Sequence, residues 1–366
     1  MAETFDFDLI CVGSGPAGQR AAVQAAKLGK RAAVIEKGHN IGGACIDTGT
    51  IPSKTFRQAV LNLAGHDNRP TAAQVLAQVG SVVEREAAVI ENQLMRNDVS
   101  IFHGEASFKG PHAIAIHSAK GDQAITSQYI LIAVGTRPAA PPGVNPNGET
   151  VISSDDITHM GRVPRTMTVV GAGVIGIEYA SMFAALGVEV TVVDQRPRPL
   201  EFMDWEIVDE LVHQMRQANV IFRFNEKVQH LEVADGPPSR AVILLESGKK
   251  LVSESALFSV GRIGDSDRLN LVAAGLSADD FVRIGAGVTE GVLRLEVDNP
   301  GATGTVAPRG PGTQRSGFGL RIVDALADAW GVSRNGDTRV WVELACWPST
   351  GANSTPGAAR PSKGGP

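Results

Sequence analysis

The chain has 366 residues, 43% of them hydrophobic and 20% charged, enough length and apolar content to bury a core in each of two or three domains. Its 34 basic and 39 acidic residues leave a formal net charge of −5 and are interspersed, so no basic stripe is offered to a phosphate backbone and nucleic acid is excluded as a partner. No apolar run approaches the roughly 18 residues of a membrane span, and the start MAETFDFDLI is acidic where a signal peptide is basic, so no membrane partner is expected and the cytoplasm is the expected location.

The first predicted element is a strand over 6–13, DFDLICVG, whose apolar run stops at glycine as a buried parallel strand does at its turn. The alanine-rich stretch 17–28 predicts a helix and RAAVIE at 31–36 a second strand, closing a βαβ unit. Between 71 and 97, Val75, Val79, Val82, Val83 and Leu94 recur at helical spacing, which predicts one long amphipathic helix. SIFHGEASF at 100–108, AIAIH at 113–117 and QYILIAVG at 128–135 predict short strands of a meander that returns to the sheet, and 137–149, dense in Pro, Gly and Asn, predicts a linker.

Residues 166–194 repeat the opening order of strand, glycine turn, helix and strand, again ending on an acid, and this internal repeat is the main organisational feature of the chain. Beyond Asp280 the texture changes. VLRLEVDNPG predicts a strand, GATGTVAPRGPGTQRSG a loop, GLRIVDALADAWGV at 319–332 an amphipathic helix, and RVWVELAC at 339–346 a strand. The last stretch, 347–366, has too little apolar content to offset the entropy of ordering and is expected to be disordered. The fold class expected is α/β, with two Rossmann-like dinucleotide-binding domains at 1–161 and 162–280 followed by a short α/β fragment at 281–346.

Gly13, Gly15 and Gly18 form GxGxxG directly after a strand and at the start of a helix. In that setting the first glycine permits the tight turn, the second lets the backbone approach a pyrophosphate and the third lets the helix pack closely, while free N–H groups at the helix start attract phosphate. Glu36 ends the next strand, 18 residues beyond Gly18, where a carboxylate can accept from an adenosine ribose. Gly171, Gly173 and Gly176 repeat the pattern, with Asp194 again 18 residues on. Asp194 favours the free 2′-hydroxyl of NAD, whereas Arg196 and Arg198 could pair with the 2′-phosphate of NADP or belong to a solvated Pro-rich turn, and the sequence leaves these open.

GGACIDTGTIPSK at 42–54 resembles the redox-active stretch of the flavoprotein disulfide reductases, with Cys45 at the first cysteine position and Thr50 at the second. Without the second thiol no dithiol can form, which excludes disulfide exchange. GTIPSK with threonine is similar to the soluble, si-specific NAD(P) transhydrogenases, and the resemblance extends to IAVGTRP at 132–138, GAGVIGIEYA at 171–180, ESGKKL at 246–251 and SVGRIGDSDRLNL at 259–271. It implies an oxidoreductase that passes hydride between NADPH and NAD through FAD, with FAD in the first domain and NAD or NADP in the second. It further implies cofactor contacts at Lys37, Gly43, Cys45, Lys54, Gly135 and Gly261, besides the fingerprint residues.

In that family the lysine at the position of Lys54 lies beside the flavin and pairs with the glutamate corresponding to Glu178, which makes these two the expected catalytic residues. The plainer reading is an interdomain ion pair. Cys45 is expected to pack near the flavin and Cys11 to be structural, no metal site is expected, and the three scattered cysteines without CxxC spacing suit a reducing compartment.

The resemblance is incomplete after about residue 280. The family's later strand running into Gly-Asp has no clear counterpart, since Gly264-Asp265 falls in a loop and Gly336-Asp337 in a polar turn, and all eight histidines lie at or before His230. The family is homodimeric, and its dimer domain is not recognisable here. Residues 291–344 instead resemble the end of a GHKL-type ATPase domain of the anti-sigma-factor kinase sort, with Asp298 at the adenine-binding aspartate and Gly317 and Gly319 in its glycine box. The expectation is therefore a truncated oxidoreductase, active or not, joined to an unrelated fragment; the alternative is a non-catalytic NAD(P)-binding or regulatory fusion.

Overall fold

The structure, a computed structural model, describes residues 4–63, 71–141, 143–144, 146–276, 283–289, 292–299, 327–334 and 338–345. They fall into two compact units, Met1–Gly275 and Leu276–Pro366.

The first unit opens with the expected βαβ: β1 (Phe7–Val12), α1 (Pro16–Lys27) and β2 (Ala32–Glu36). Strand periodicity decides its packing. Leu9, Cys11, Ala32 and Val34 point to the face covered by Ala22 and Val23 of α1, while Ile10, Val12, Ala33 and Ile35 point to the opposite core. Two helices that the sequence reading did not assign follow, α2 (Ala44–Asp47) and α3 (Thr50–Leu63). Pro52 is tolerated because it sits in the first turn of α3, and Phe56, Ala59 and Val60 give that helix its buried stripe. The long helix is α4 (Ala72–Met95), started by a capping box between Thr71 and Gln74 and buried through Val75, Val79, Val83 and Ala87.

The meander comprises β3 (Ser100–His103), β4 (Glu105–Gly110), β5 (Ala113–His117) and β6 (Gln123–Ile132). The predicted strand 100–108 is two strands, split at Gly104, whose φ of +153° and close approach to the His117 carbonyl exclude a side chain. The six strands take the order β3-β2-β1-β6-β5-β4. Strand β6 serves both parts, pairing with β5 through its first half and parallel to β1 through Ser127–Ile132.

After β7 (Thr136–Pro138) and β8 (Val151–Ser153), the repeat appears as β9 (Thr166–Val170), α5 (Val174–Ala185) and β10 (Glu189–Asp194). Then come α6 (Trp205–Gln217), β11 (Ile221–Phe224), an antiparallel trio β12 (Val228–Ala234), β13 (Arg240–Leu245) and β14 (Lys250–Ser253), and finally β15 (Ser255–Phe258) and β16 (Arg262–Gly264). The second parallel sheet runs β11-β10-β9-β15-β8, so residues 151–153, ahead of the expected start of the second domain, belong to its sheet. Strand β16 returns to pair with β7, and Leu269 and Leu271 then pack on the first sheet's core.

The second unit's described strands are β17 (Arg283–Thr289), β18 (Val292–Asn299), β19 (Ala329–Arg334) and β20 (Thr338–Ala345), antiparallel in the order β17-β18-β20-β19. This corrects one expectation: the last residues of the helix predicted over 319–332 lie in strand β19, whereas residues 319–326 fall outside the described residues. Gly331 lets the strand lie against the Trp341 ring, and the sequence pair Asn335-Gly336 between two β-prone runs is a hairpin signal that outweighs helical periodicity. Asp298 lies in β18, whereas Gly317, Gly319 and the tail 347–366 fall outside the described residues.

Candidate functional site

Two clefts open where the parallel strands of the first unit end and a helix begins, the position at which α/β sheets take ligands. The first, about 470 Å³, is walled by Gly13, Gly15, Glu36, Lys37, Gly43, Cys45 and Gly135. The second, about 790 Å³, is walled by Gly171, Gly173, Asp194, Arg196 and Gly261. Apart from Gly18, Gly176, Lys54 and Glu178, the sequence-predicted residues thus fall on two separate clefts.

The third glycine of each fingerprint is required by the protein itself. A Cβ on Gly18 would lie 1.9 Å from the Gly13 carbonyl oxygen, and one on Gly176 1.9 Å from that of Gly171. The first glycines carry φ of +107° and +105°, which disfavours a side chain. The middle glycines differ. Gly15 has φ −61° and Gly173 φ −79°, ordinary values for any residue, and a Cβ on either would meet nothing within 4 Å. Neither backbone strain nor internal packing asks for glycine there, so the open space in front of it is what the residue provides. No side chain caps α1 or α5, whose first N–H groups are left for an anion. A dinucleotide pyrophosphate fits both places.

The acids at the strand ends are held in matching fashion. Ser14 N–H donates to Glu36 Oε2 at 3.0 Å and Ala172 N–H donates to Asp194 Oδ2 at 2.6 Å. Glu36 also accepts from Ser14 Oγ at 2.5 Å and from Gly38 N–H at 2.7 Å. Ser14 Oγ in turn accepts from Gly42 N–H at 2.8 Å, fixing the loop that carries Gly43 and Cys45. The fingerprint template treats the position of Ser14 as variable, so sequence reading passed over it.

Asp265, set aside in the sequence reading as a residue of a loop, also belongs to this site. Its loop follows β16 and folds against the first cleft, where Asp265 pairs with Lys37 and lies 3.6 Å from Arg137, while its N–H donates to the Gly135 carbonyl. Lys37 therefore contributes to the wall as one half of an ion pair. Asp47 lines the same cleft, and burial pushes its carboxyl up, with Glu36 nearby adding to the effect against a hydrogen bond from Asn40.

Lys54 and Glu178 line neither cleft. They meet each other, Lys54 Nζ donating to Glu178 Oε1, above the packed rings of Phe56, Tyr179 and Phe183 that join α3 to α5. Cys45 is a free, partly buried thiol on the wall of the first cleft. Cys11 is fully buried in β1, and burial pushes its thiol up to about 12, so it is protonated and inert at neutral pH. No helix of the described residues is long and apolar enough to cross a membrane.

Known proteins share this arrangement. Residues 7–311 match the family described as pyridine nucleotide-disulphide oxidoreductase. A soluble pyridine nucleotide transhydrogenase of Mycobacterium tuberculosis is 43% identical over 315 residues, covering 82% of this chain and 66% of that protein. One of Colwellia psychrerythraea is 36% identical over 318 residues, covering 84% of this chain and 67% of the relative. Among solved structures, the HOCl-induced flavoprotein disulfide reductase RclA from Escherichia coli superposes with TM-score 0.67 at 25% identity, over 74% of this chain and 60% of that one. LpdA from Mycobacterium tuberculosis gives TM-score 0.66 at 25% identity, over 74% and 62%. The chain spans about two thirds of the length of the curated relatives it matches. With its two Rossmann-like domains, it belongs to the pyridine nucleotide-disulphide oxidoreductase family.

Proposed function

We propose that the chain is a FAD-dependent oxidoreductase of the soluble transhydrogenase type, moving hydride between NADPH and NAD. The observation that carries this reading is the pair of middle glycines, Gly15 and Gly173, each of which keeps open a space that the protein has no internal reason to leave.

In this reading the first cleft holds FAD. Gly13, Gly15 and Ala17 at the start of α1 receive the pyrophosphate, and Glu36, with one acceptor position left on Oε1, takes the adenosine ribose. Gly43, Cys45, Gly135 and the Lys37–Asp265 pair complete the wall. The chemistry that FAD supplies when bound is hydride acceptance and release. The second cleft takes the nicotinamide nucleotide, with Gly171, Gly173 and Gly261 at its pyrophosphate end. The family resemblance assigns to Lys54, held by Glu178, a positive charge that would offset negative charge on the reacting ring when FAD is bound. Thr50 in place of a second thiol keeps electrons from leaving through a disulfide. A reducing, cytoplasmic setting is part of the proposal, supported by the free thiols of Cys11 and Cys45.

An absorbance spectrum of the purified chain reconstituted with FAD, from about 300 to 550 nm, before and after anaerobic NADPH, tests the reading. Flavin bands that stay with the protein and bleach with NADPH support it. A protein that retains no flavin after reconstitution overturns it.

A further inference from the structure

Ser107, His117 and Asp122 meet on the meander, and none of them lines either cleft. Strands β4 and β5 set Glu105 opposite His117 and Ser107 opposite Ala115, which makes Ser107 the diagonal neighbour of His117 on one face of the sheet. Phe108 and Ile116, each next in sequence to one of the pair, are buried in the core on the other face and fix both strands. Asp122 follows the turn between β5 and β6. That turn is held from within: Gly121 N–H donates to the Ser118 carbonyl at 3.0 Å, and Ser118 Oγ donates to the Gly121 carbonyl at 2.9 Å.

The two ring nitrogens of His117 face different partners. Nδ1 lies 2.9 Å from Asp122 Oδ2, and Nε2 lies 3.3 Å from Ser107 Oγ. A carboxylate can only accept, so Nδ1 carries the hydrogen, and Nε2 of the neutral ring is left to accept from the Ser107 hydroxyl. Ser107 Oγ has no other hydrogen-bond partner among the described residues. Glu105, the other carboxylate facing His117, is engaged by Arg268 at 2.9 Å, which leaves Asp122 to set the tautomer. Nucleophile, base and orienting acid thus stand in the order that acyl transfer requires, on strands whose backbones are paired.

We propose that Ser107, His117 and Asp122 form a second, hydrolytic site that acts on small activated carboxylic esters. Ser107 Oγ adds to the ester carbonyl carbon while its proton passes to His117 Nε2. Collapse of the adduct breaks the bond to the leaving alcohol, which departs with the proton from Nε2 and leaves an acyl group on Ser107. Water then adds to that acyl group, giving a proton to Nε2, and the second collapse releases the carboxylic acid and returns the proton to Ser107 Oγ. Ser107 and His117 are the catalytic residues. Asp122 is a positioning residue, and because its side chain is 70% exposed and that of His117 51%, water screens the pair and limits what it adds. The array lies on an open strand surface outside both clefts, so it selects esters by the reactivity of the carbonyl rather than by shape.

Two readouts on the full chain saturated with FAD test the assignment: release of p-nitrophenol from p-nitrophenyl acetate, and labelling by a fluorophosphonate probe located by peptide mass spectrometry. The label is expected on Ser107. Ser107→Ala and His117→Gln are each expected to lower ester hydrolysis by roughly tenfold or more, and Asp122→Asn by less. NADPH-dependent reduction of the flavin, which uses none of these residues, is expected to be unchanged in all three variants. A probe that leaves Ser107 unmodified in the unaltered protein, or a Ser107→Ala protein that hydrolyses the ester at full rate, overturns the assignment.

Discussion

Lys54 of α3 and Glu178 of α5 are joined by an ion pair that spans 124 positions of sequence and ties the helix beside the first cleft to the helix that opens the second. Lys54 is 59% exposed and Glu178 24%, so the pair contributes only about 0–1 kcal/mol to folding. Lys54→Met is therefore expected to leave the melting temperature nearly unchanged and to slow NADPH-dependent reduction of bound flavin by roughly tenfold or more. Glu178→Gln, which leaves the cation in place but less well oriented, should slow it less. Stopped-flow absorbance checks both; a full-speed Lys54→Met protein would reduce the pair to an interdomain contact.

Beneath the ion pair, Phe56 is 3% exposed and its ring centroid lies 6.1 Å from that of Tyr179 and 5.7 Å from that of Phe183. These rings carry the packing of α3 on α5, so Phe56→Ala should cost about 3–5 kcal/mol, far more than loss of the exposed ion pair. Urea denaturation of both variants measures the contrast, and a smaller loss for Phe56→Ala than for Lys54→Met would reverse this ranking.

The fingerprints were legible in sequence because they are local. Strand, glycine turn, helix and acid occupy about 30 consecutive residues, and every part of that pattern is set by backbone geometry. Ser14 was passed over and Asp265 was named but set aside as a loop residue, for opposite reasons. Ser14 sits at a position where the turn tolerates many side chains, and only its hydroxyl bond to Glu36 reveals its part. Asp265 reaches the first cleft through the pairing of β16 with β7, a contact across more than a hundred residues that no local pattern encodes. Helix α3 went unassigned because its first residues, 50–54, were read as part of a motif, although Phe56, Ala59 and Val60 already mark a helical stripe. The error at β19 has the other cause, a helical period read straight across a strand whose Gly331 marks close approach of the Trp341 ring.

Asp47 offers a test in pH. Its folded-state pKa is raised, burial being the largest cause, so the ionised form costs stability wherever the folded protein must carry it. That cost is present at neutral pH and fades as pH falls through the raised folded value toward the ordinary aspartate value of 3.8. Asp47→Asn keeps an acceptor for Asn40 and removes the charge, so it should raise the melting temperature at pH 7, with the gain shrinking toward pH 4. Because Asp47 lines the first cleft, the same change should also tighten FAD binding there. Differential scanning calorimetry across that range decides the matter: a gain that grows on acidification means the carboxylate is stabilised in the fold.

The glycines separate folding from binding. Gly15→Ala and Gly173→Ala place a methyl group where no protein atom lies within 4 Å and where φ is ordinary, so both proteins should fold with melting temperatures close to the unaltered chain. Gly18→Ala and Gly176→Ala force a Cβ to within 1.9 Å of a backbone carbonyl, which the helix and turn cannot absorb, and both should lose stability heavily. The first pair should instead lose ligands selectively. Gly15→Ala should weaken FAD retention and spare nicotinamide nucleotide binding, and Gly173→Ala should do the reverse, since each methyl fills the approach to one cleft only. Flavin absorbance after gel filtration and nucleotide titration, run on the same two variants, read the two sites independently. If both alanine variants held FAD and nucleotide as well as the unaltered protein, the open spaces before Gly15 and Gly173 would not be pyrophosphate sites.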